Sequence, residues 1–335
     1  MHKSIEGELQ DLKKRLGPSP ITPVFEGLAF IRYHVTAGTG IELIREVGRK
    51  TGYRLARAWR QVKAGEVYYE LLLDPSLPAM IVYENGRSLE GYPRLDGLAF
   101  RVRDLQPVRD SLRNACIPSR EEPWGIATDP IPGPGDRFLY LPEGAPAWHE
   151  APGMEPLQIA PEAAGTAPFT DVRANIGHLD HIAYRVPLSH VHRTAEMIMK
   201  LSGYSFDSCY TVGDQNAETM VFRWGSRKPA IVVSYGWDEQ SVVHAYTAKY
   251  GPRVHHTAYY TDDLRTVLQR QQELGLTFTT EELIGDETRG ILQIFGTPSP
   301  ISHEITEYVQ RFGSFTGFFD KGNVGELMGS TKGLS

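Results

Sequence analysis

Two histidines and two closely spaced glutamates, His181, His256, Glu304 and Glu307, are the residues of this chain whose types and spacing suit metal chemistry. The histidines hold one register of a phrase that recurs four times: Gly27-Leu28-Ala29-Phe30, Gly97-Leu98-Ala99-Phe100, His181-Ile182-Ala183-Tyr184 and His256-Thr257-Ala258-Tyr259. An internal repeat defines architecture before anything else, and imidazole in two copies where the others carry glycine points at a site. On equivalent first strands, His181 and His256 face one cavity. The third ligand is expected on the final strand, Glu304-Ile305-Thr306-Glu307-Tyr308-Val309. Its side chains alternate, so Glu307 shares a face with Ile305 and Val309 while Glu304 points away, and only one of the two carboxylates is inward. Two imidazoles and one carboxylate leave about three positions open on a metal, which suits non-heme Fe(II) binding substrate and oxygen together. Zinc is the competing ion for such donors.

The elements that must position these residues follow from hydrophobic periodicity. Each repeat reads as an apolar strand, an amphipathic helix and three further strands. The fourth copy has a strand at Val254 to Tyr260, a cap from Asp262 and Asp263, and a helix with Leu264, Val267, Leu268 and Leu274 that ends at Gly275. Strands follow near Leu276 to Thr279, Gly290 to Phe295 and His303 to Gln310. The third copy places a helix near His192 to Leu201 and strands near Phe206 to Val212, Glu218 to Trp224 and Ala230 to Ser234. The first runs from Val24 to Glu84 with its helix at Ile41 to Thr51; the second runs from Leu95 to Pro142 with its helix at Val108 to Ala115. The fold class is therefore α+β, with four βαβββ modules paired into two domains, each a curved mixed sheet with flanking helices. Residues 1–20 read as a peripheral helix from Glu8 to Arg15, and 21–150 as a structural domain without metal. Residues 151–175, rich in Pro, Ala and Gly, read as a linker. Residues 176–335 read as the catalytic domain, closed by a lid helix from Thr316 to Met328.

Composition narrows the function classes. The 335 residues carry 41% hydrophobic content, enough for a large buried core, and a net charge of −6 offers no basic stripe for phosphate backbones, so nucleic acid is not an expected partner. No stretch approaches a membrane span, and the N-terminus lacks an apolar leader, which makes a cytoplasmic protein the expectation. Cys116 and Cys209 are far apart and outside any CxxC context, so they read as buried free thiols. His178, His192, His244 and His303 carry no motif and read as loop, surface or supporting residues.

Four such modules, paired two per domain, resemble the vicinal oxygen chelate superfamily. Within it, three segments in order, Gly290-Ile291-Leu292-Gln293-Ile294-Phe295, Glu307-Tyr308-Val309-Gln310-Arg311 and Gly317-Phe318-Phe319-Asp320-Lys321-Gly322-Asn323, are similar to the C-terminal signature of 4-hydroxyphenylpyruvate dioxygenases. The resemblance makes Glu307, rather than Glu304, the carboxylate ligand beside His181 and His256. It places Gln293 and Phe295 in the wall of the active site and Phe319 on the closing helix. It implies Fe(II) as cofactor, a 2-oxo acid and O2 as substrates, a role in aromatic amino acid catabolism and a homo-oligomer. In the family the 2-oxo acid chelates iron through its carboxylate and keto oxygens, is decarboxylated, and is hydroxylated.

Three positions differ from the family pattern. His255 replaces a glutamine before the second histidine ligand, Val232-Val233-Ser234-Tyr235-Gly236 replaces a Pro-(Leu/Ile)-Asn-Glu strand ending, and Val324 replaces a phenylalanine. Ser234, Tyr235, His255 and Val324 are thus expected, with Gln293, Phe295 and Phe319, to shape a substrate pocket of its own. Loss of a ring at Val324 removes stacking worth about 0.5–1.5 kcal/mol. Three other readings stand beside this one: an enzyme like hydroxymandelate synthase, an extradiol catechol ring-cleaving dioxygenase, and a non-catalytic protein that binds a small ligand.

Overall fold

All four modules fold as strand, helix and three strands in the computed structural model, which describes residues 4–85, 93–160, 175–225, 229–313, 315 and 317–334. After helix α1 (Glu6–Leu16), the first module comprises β1 (Phe25–Thr36), α2 (Gly40–Thr51), β2 (Arg54–Gln61), β3 (Glu66–Leu72) and β4 (Ala79–Asn85). The second has β5 (Arg94–Val102), α3 (Gln106–Asn114), β6 (Ser119–Glu122), β7 (Gly125–Thr128) and β8 (Arg137–Pro142), followed by β9 (Met154–Pro156). The third has β10 (Ile176–Arg185), α4 (Val191–Leu201), β11 (Ser205–Val212), β12 (Ala217–Arg223) and β13 (Ala230–Gly236). Helix α5 (Val242–Tyr250) leads to the fourth, with β14 (Arg253–Thr261), α6 (Leu264–Glu273), β15 (Ile284–Asp286), β16 (Ile291–Phe295) and β17 (Ile305–Arg311), and then α7 (Lys321–Ser330).

Local chemistry explains most boundaries. Helix α2 buries Leu43, Ile44 and Val47 along one stripe, and Gly52 at φ 77° ends it in the left-handed region that favours glycine. Asp263 caps α6 through Thr266 N at 3.1 Å; Asp262 instead accepts from Tyr260 Oη at 2.7 Å. The strand expected near Leu276 to Thr279 is reduced to one bridge, Phe278 to Gly296, and the chain pairs again at β15. Three residues of the expected linker, Met154–Pro156, join the first sheet beside β2, while 161–174 fall outside the described residues. Helix α5 was not anticipated, although Ser241, whose Oγ accepts from Val243 N at 3.2 Å, and the Gly251-Pro252 stop are its sequence signals. Among the described residues no helix is long and apolar enough to cross a membrane.

Two mixed sheets result, with strand orders β6-β7-β8-β5-β1-β4-β3-β2-β9 and β11-β12-β13-β10-β14-β17-β16-β15. At the centre of each, the first strands of two modules pair antiparallel, β1 with β5 and β10 with β14. Each is flanked by the parallel last strand of its own module. This register corrects one expected equivalence. His181 pairs with Ala230 and Ala258, and the residue of β1 paired in the same way, with Ala79 and Ala99, is Phe30 rather than Gly27. Gly27 sits at a register irregularity with φ 118°, where a Cβ would stand 2.7 Å from the Trp224 ring. Glycine is there for backbone shape and close packing. Gly97 does match His256: it pairs with Arg137 as His256 pairs with Ile305.

One apolar core runs through both halves, and polar ties cross between them in matched fashion. Tyr140 Oη donates to the Leu201 carbonyl and Tyr308 Oη to the Lys50 carbonyl, each at 2.6 Å. Tyr184 Oη donates to Asp136 at 2.8 Å, with Arg94 at 3.2 Å. Glu304 belongs to this seam, accepting from Leu95 N at 2.7 Å with Arg253 at 3.7 Å. Helix α1 docks on the second half, where Lys13 Nζ donates to the Phe206 carbonyl at 2.6 Å.

Candidate metal centre

Parallel pairing of β14 with β17 sets Ala258 opposite Glu307, and antiparallel pairing of β10 with β14 sets Ala258 opposite His181 and His256 opposite Ala183. Three adjacent strands thereby deliver His181, His256 and Glu307 to one face. His181 Nε2 lies 3.1 Å and His256 Nε2 3.2 Å from Glu307 Oε2, with the two Nε2 atoms 3.3 Å apart. At metal–ligand bonds of about 2.0–2.2 Å, donors at right angles stand about 3.0 Å apart and tetrahedral ones about 3.4 Å. The triangle therefore fits one face of an ion, and the donor set suits a divalent transition metal. Among the described residues this is the cluster that meets the spacing expected for a metal.

The supporting contacts fix every donor. His181 Nδ1 donates to Asp180 Oδ1 at 2.8 Å, and Arg311 grips both oxygens of Asp180, with Nη2 at 3.0 Å from Oδ1. With Nε2 turned to an ion, His256 Nδ1 carries the hydrogen and donates to His255 Nδ1 at 2.8 Å. Gln293 Nε2 donates to Glu307 Oε1 at 2.7 Å, leaving Oε2 for the histidines, and Asn323 Nδ2 donates to Gln293 Oε1 at 3.1 Å. Such outer contacts hold ring orientation and tautomer. Burial opposes charge on His181, yet Glu307 and Asp180 outweigh it and raise its pKa to about 9. Burial, with the charges of His181 and Arg185, lowers His256 to about 4 despite Glu307. Glu307 would be raised by burial, but His181 and His256 hold it down.

The donors open onto a cavity lined by both sheet and helix side chains. Gln293, Phe295, Ser234, His255, Phe319 and Val324 all line it. The Phe295 ring lies 4.9 Å from that of His256, and the Phe319 ring 5.2 Å from that of His181. His255 and His256 are adjacent on β14, yet the β10–β14 register slips between Ala183 and Tyr184, so that His255 is an extra residue and both rings reach the site. Tyr235 is a correction in the other direction. Alternation along β13 sends Val232 and Ser234 into the cavity and Tyr235 to the opposite face, where its hydroxyl donates to Glu218 at 2.5 Å. Phe319 lies before the helix rather than on it, because Asp320 caps α7 through Asn323 N at 3.1 Å; Thr316, the expected helix start, is outside the described residues. Asn323, Asp180, Arg311 and Arg185 were not singled out in the sequence for these roles. Asp180 adjoins His181 in the chain and Arg311 ends the Glu307-Tyr308-Val309-Gln310-Arg311 segment, which was the available signal.

Residues 180–292 match the family model described as the Glyoxalase/Bleomycin resistance protein/Dioxygenase superfamily. Among solved structures, a mutant of 4-hydroxymandelate synthase from Streptomyces coelicolor is similar with a TM-score of 0.71 and 18% identity, over 92% of this chain and 98% of that one. A xylose isomerase-like TIM barrel/4-hydroxyphenylpyruvate dioxygenase fusion protein has a TM-score of 0.65 and 14% identity, over 98% of this chain and 57% of that one. No curated protein matches by sequence. At these identities the likeness is one of fold.

Proposed function

We propose that this protein of vicinal oxygen chelate fold is a non-heme Fe(II) dioxygenase that uses O2 to decarboxylate and hydroxylate a 2-oxo acid. The observation that carries the reading is the three-donor face of His181, His256 and Glu307, closed behind by strands and open in front to a cavity. The names of the two similar structures, a 4-hydroxymandelate synthase and a 4-hydroxyphenylpyruvate dioxygenase fusion, support the same reaction class. Bound to these residues, Fe(II) supplies the open positions where a 2-oxo acid chelates and dioxygen is activated. The chain supplies the rest. Asp180 and His255 keep both Nδ1 hydrogens in place, so each imidazole presents a neutral Nε2. Gln293, itself held by Asn323, occupies Glu307 Oε1 and keeps the carboxylate to a single ligating oxygen. Phe295, Phe319, Val324, Leu327 and Met328 exclude water from the reacting region.

The test is anaerobic reconstitution with Fe(II), a screen of 2-oxo acids for a metal-to-ligand absorption band, and product analysis on admitting oxygen. The expected result is one iron per chain and CO2 released in step with O2 consumed. Oxygen uptake with a catechol but no CO2 from any 2-oxo acid, or no stoichiometric iron, overturns the proposal.

A further inference from the structure

Arg185, the last residue of β10, lines the cavity beside His255 and Ser234 and is 4% exposed. Its Nη2 donates to Thr331 Oγ1 at 3.0 Å, and its guanidinium lies over the Tyr246 ring at 5.2 Å. Nη1 has no hydrogen-bond partner among the described residues, and no carboxylate there ion-pairs with the side chain. Other inward cations differ. Lys50 stands 2.6 Å from Glu46, Arg32 2.8 Å from Asp96 and Arg253 3.7 Å from Glu304. Burial lowers the Arg185 pKa to about 10, which leaves it ionised at neutral pH. An unpaired buried cation weakens a fold, and one that faces a cavity gains its counter-charge when an anion enters.

The charge balance of the site says which anion. On the reading above, a divalent ion, the Glu307 carboxylate and the chelating carboxylate of a 2-oxo acid sum to zero, and Asp180 is neutralised by Arg311. Among the described residues of the site, Arg185 is then the one charge without a counterpart. We propose that Arg185 receives a second anionic group of the substrate, so that the substrate class is a 2-oxo acid with a further negative charge distant from its chelating end. The planar fork of the guanidinium, with Nη1 free and Nη2 fixed by Thr331, suits a carboxylate or comparable oxyanion. This inference rests on the proposed 2-oxo acid chemistry only for the identity of the first anionic group.

The experiment has an iron-loaded arm and a metal-free arm. Anaerobic Fe(II) protein is titrated with 2-oxoglutarate and 2-oxoadipate against 2-oxopentanoate and 2-oxohexanoate, acids of matched length with an uncharged end, using the absorption band. At least tenfold tighter binding of the dicarboxylic acids is expected, with the preference lost in Arg185→Met and partly kept in Arg185→Lys. In the metal-free arm, millimolar succinate, glutarate or pentanoate, each of which offers a carboxylate to Arg185, raises the Tm of the wild type but not of Arg185→Met, whereas uncharged pentanamide raises neither. Arg185→Met itself raises the Tm of the ligand-free protein, since it removes an unpaired buried charge. Equal binding of both acid types, a preference that survives in Arg185→Met, or no dicarboxylate response in either arm overturns the proposal. A dicarboxylate response without any absorption band supports the anion site and refutes the dioxygenase reading.

Discussion

Phe30, Gly97 and Leu139 of the first half stand at the strand positions that His181, His256 and Glu307 occupy in the second. Around them the difference spreads. Phe30 and Leu139 pack with Ala29, Ala79, Ile81 and Ala99 in an apolar cluster, whereas the second half sets Gln293 and Asp180 behind its donors. Both halves also bring an arginine to the concave face of the sheet: Arg32 is neutralised by Asp96, and Arg185 is not. The scaffold is thus indifferent to what occupies the three positions. Strand pairing delivers any three side chains there to one point, and chemistry depends on residue type alone.

The largest effects come from altering the three positions in each half. His181→Ala or Glu307→Ala is expected to abolish stoichiometric metal binding after anaerobic reconstitution, measured by metal analysis. Phe30→Ala is expected to leave metal content unchanged and to cost about 3–5 kcal/mol in denaturant unfolding. Metal loss in Phe30→Ala, with the protein still folded, would erase the distinction between the halves. Next in size, Asp180→Asn frees His181 Nδ1 from its anionic acceptor and is expected to weaken metal affinity by about 10–100-fold, read by competition with a chelator.

These contrasts were only partly readable in the sequence. The repeat, the two histidines and the carboxylate stood out because ligand types differ from everything around them. Register did not: Gly27-Leu28-Ala29-Phe30 looks like a match for His181-Ile182-Ala183-Tyr184, and the true partner of His181 lies three residues further along because β1 has several register irregularities that a pattern of apolar residues does not reveal. A bulge likewise turns His255 inward beside His256, and Tyr235 was misplaced, since its neighbour Ser234 is the one that faces the cavity. Arg185 was missed since a lone arginine at a strand end is ordinarily solvated; its burial is a tertiary fact.

Smaller tests probe the seam that joins the halves. Burial raises Asp136 to about 7, against the opposing influence of Arg94 and Tyr184. Its folded pKa lies above its ordinary 3.8, so the folded state holds the proton more tightly, and this group's contribution is full below about pH 4 and is lost as pH rises through 7. The denaturant midpoint of Asp136→Asn is expected to fall less than that of the wild type between about pH 5 and pH 8; identical profiles would remove Asp136 from the account. Smallest of all, Tyr140→Phe and Tyr308→Phe each delete one matched hydrogen bond and are expected to cost about 1 kcal/mol apiece. A cost confined to one of them would show that the seam is not balanced.

Those two tyrosines, together with the apolar core that spans both halves, bear on how the molecule melts. Each is rooted in one half and ends on a carbonyl of the other, so neither sheet can open without breaking bonds that belong to both. A single cooperative transition is expected, and with it a thermodynamic reach for the metal: an ion held by three residues of the second half would protect the whole chain by RT ln(1 + [L]/Kd). Amide hydrogens around Phe30, in the half with no ligand for the ion, should exchange more slowly when it is bound.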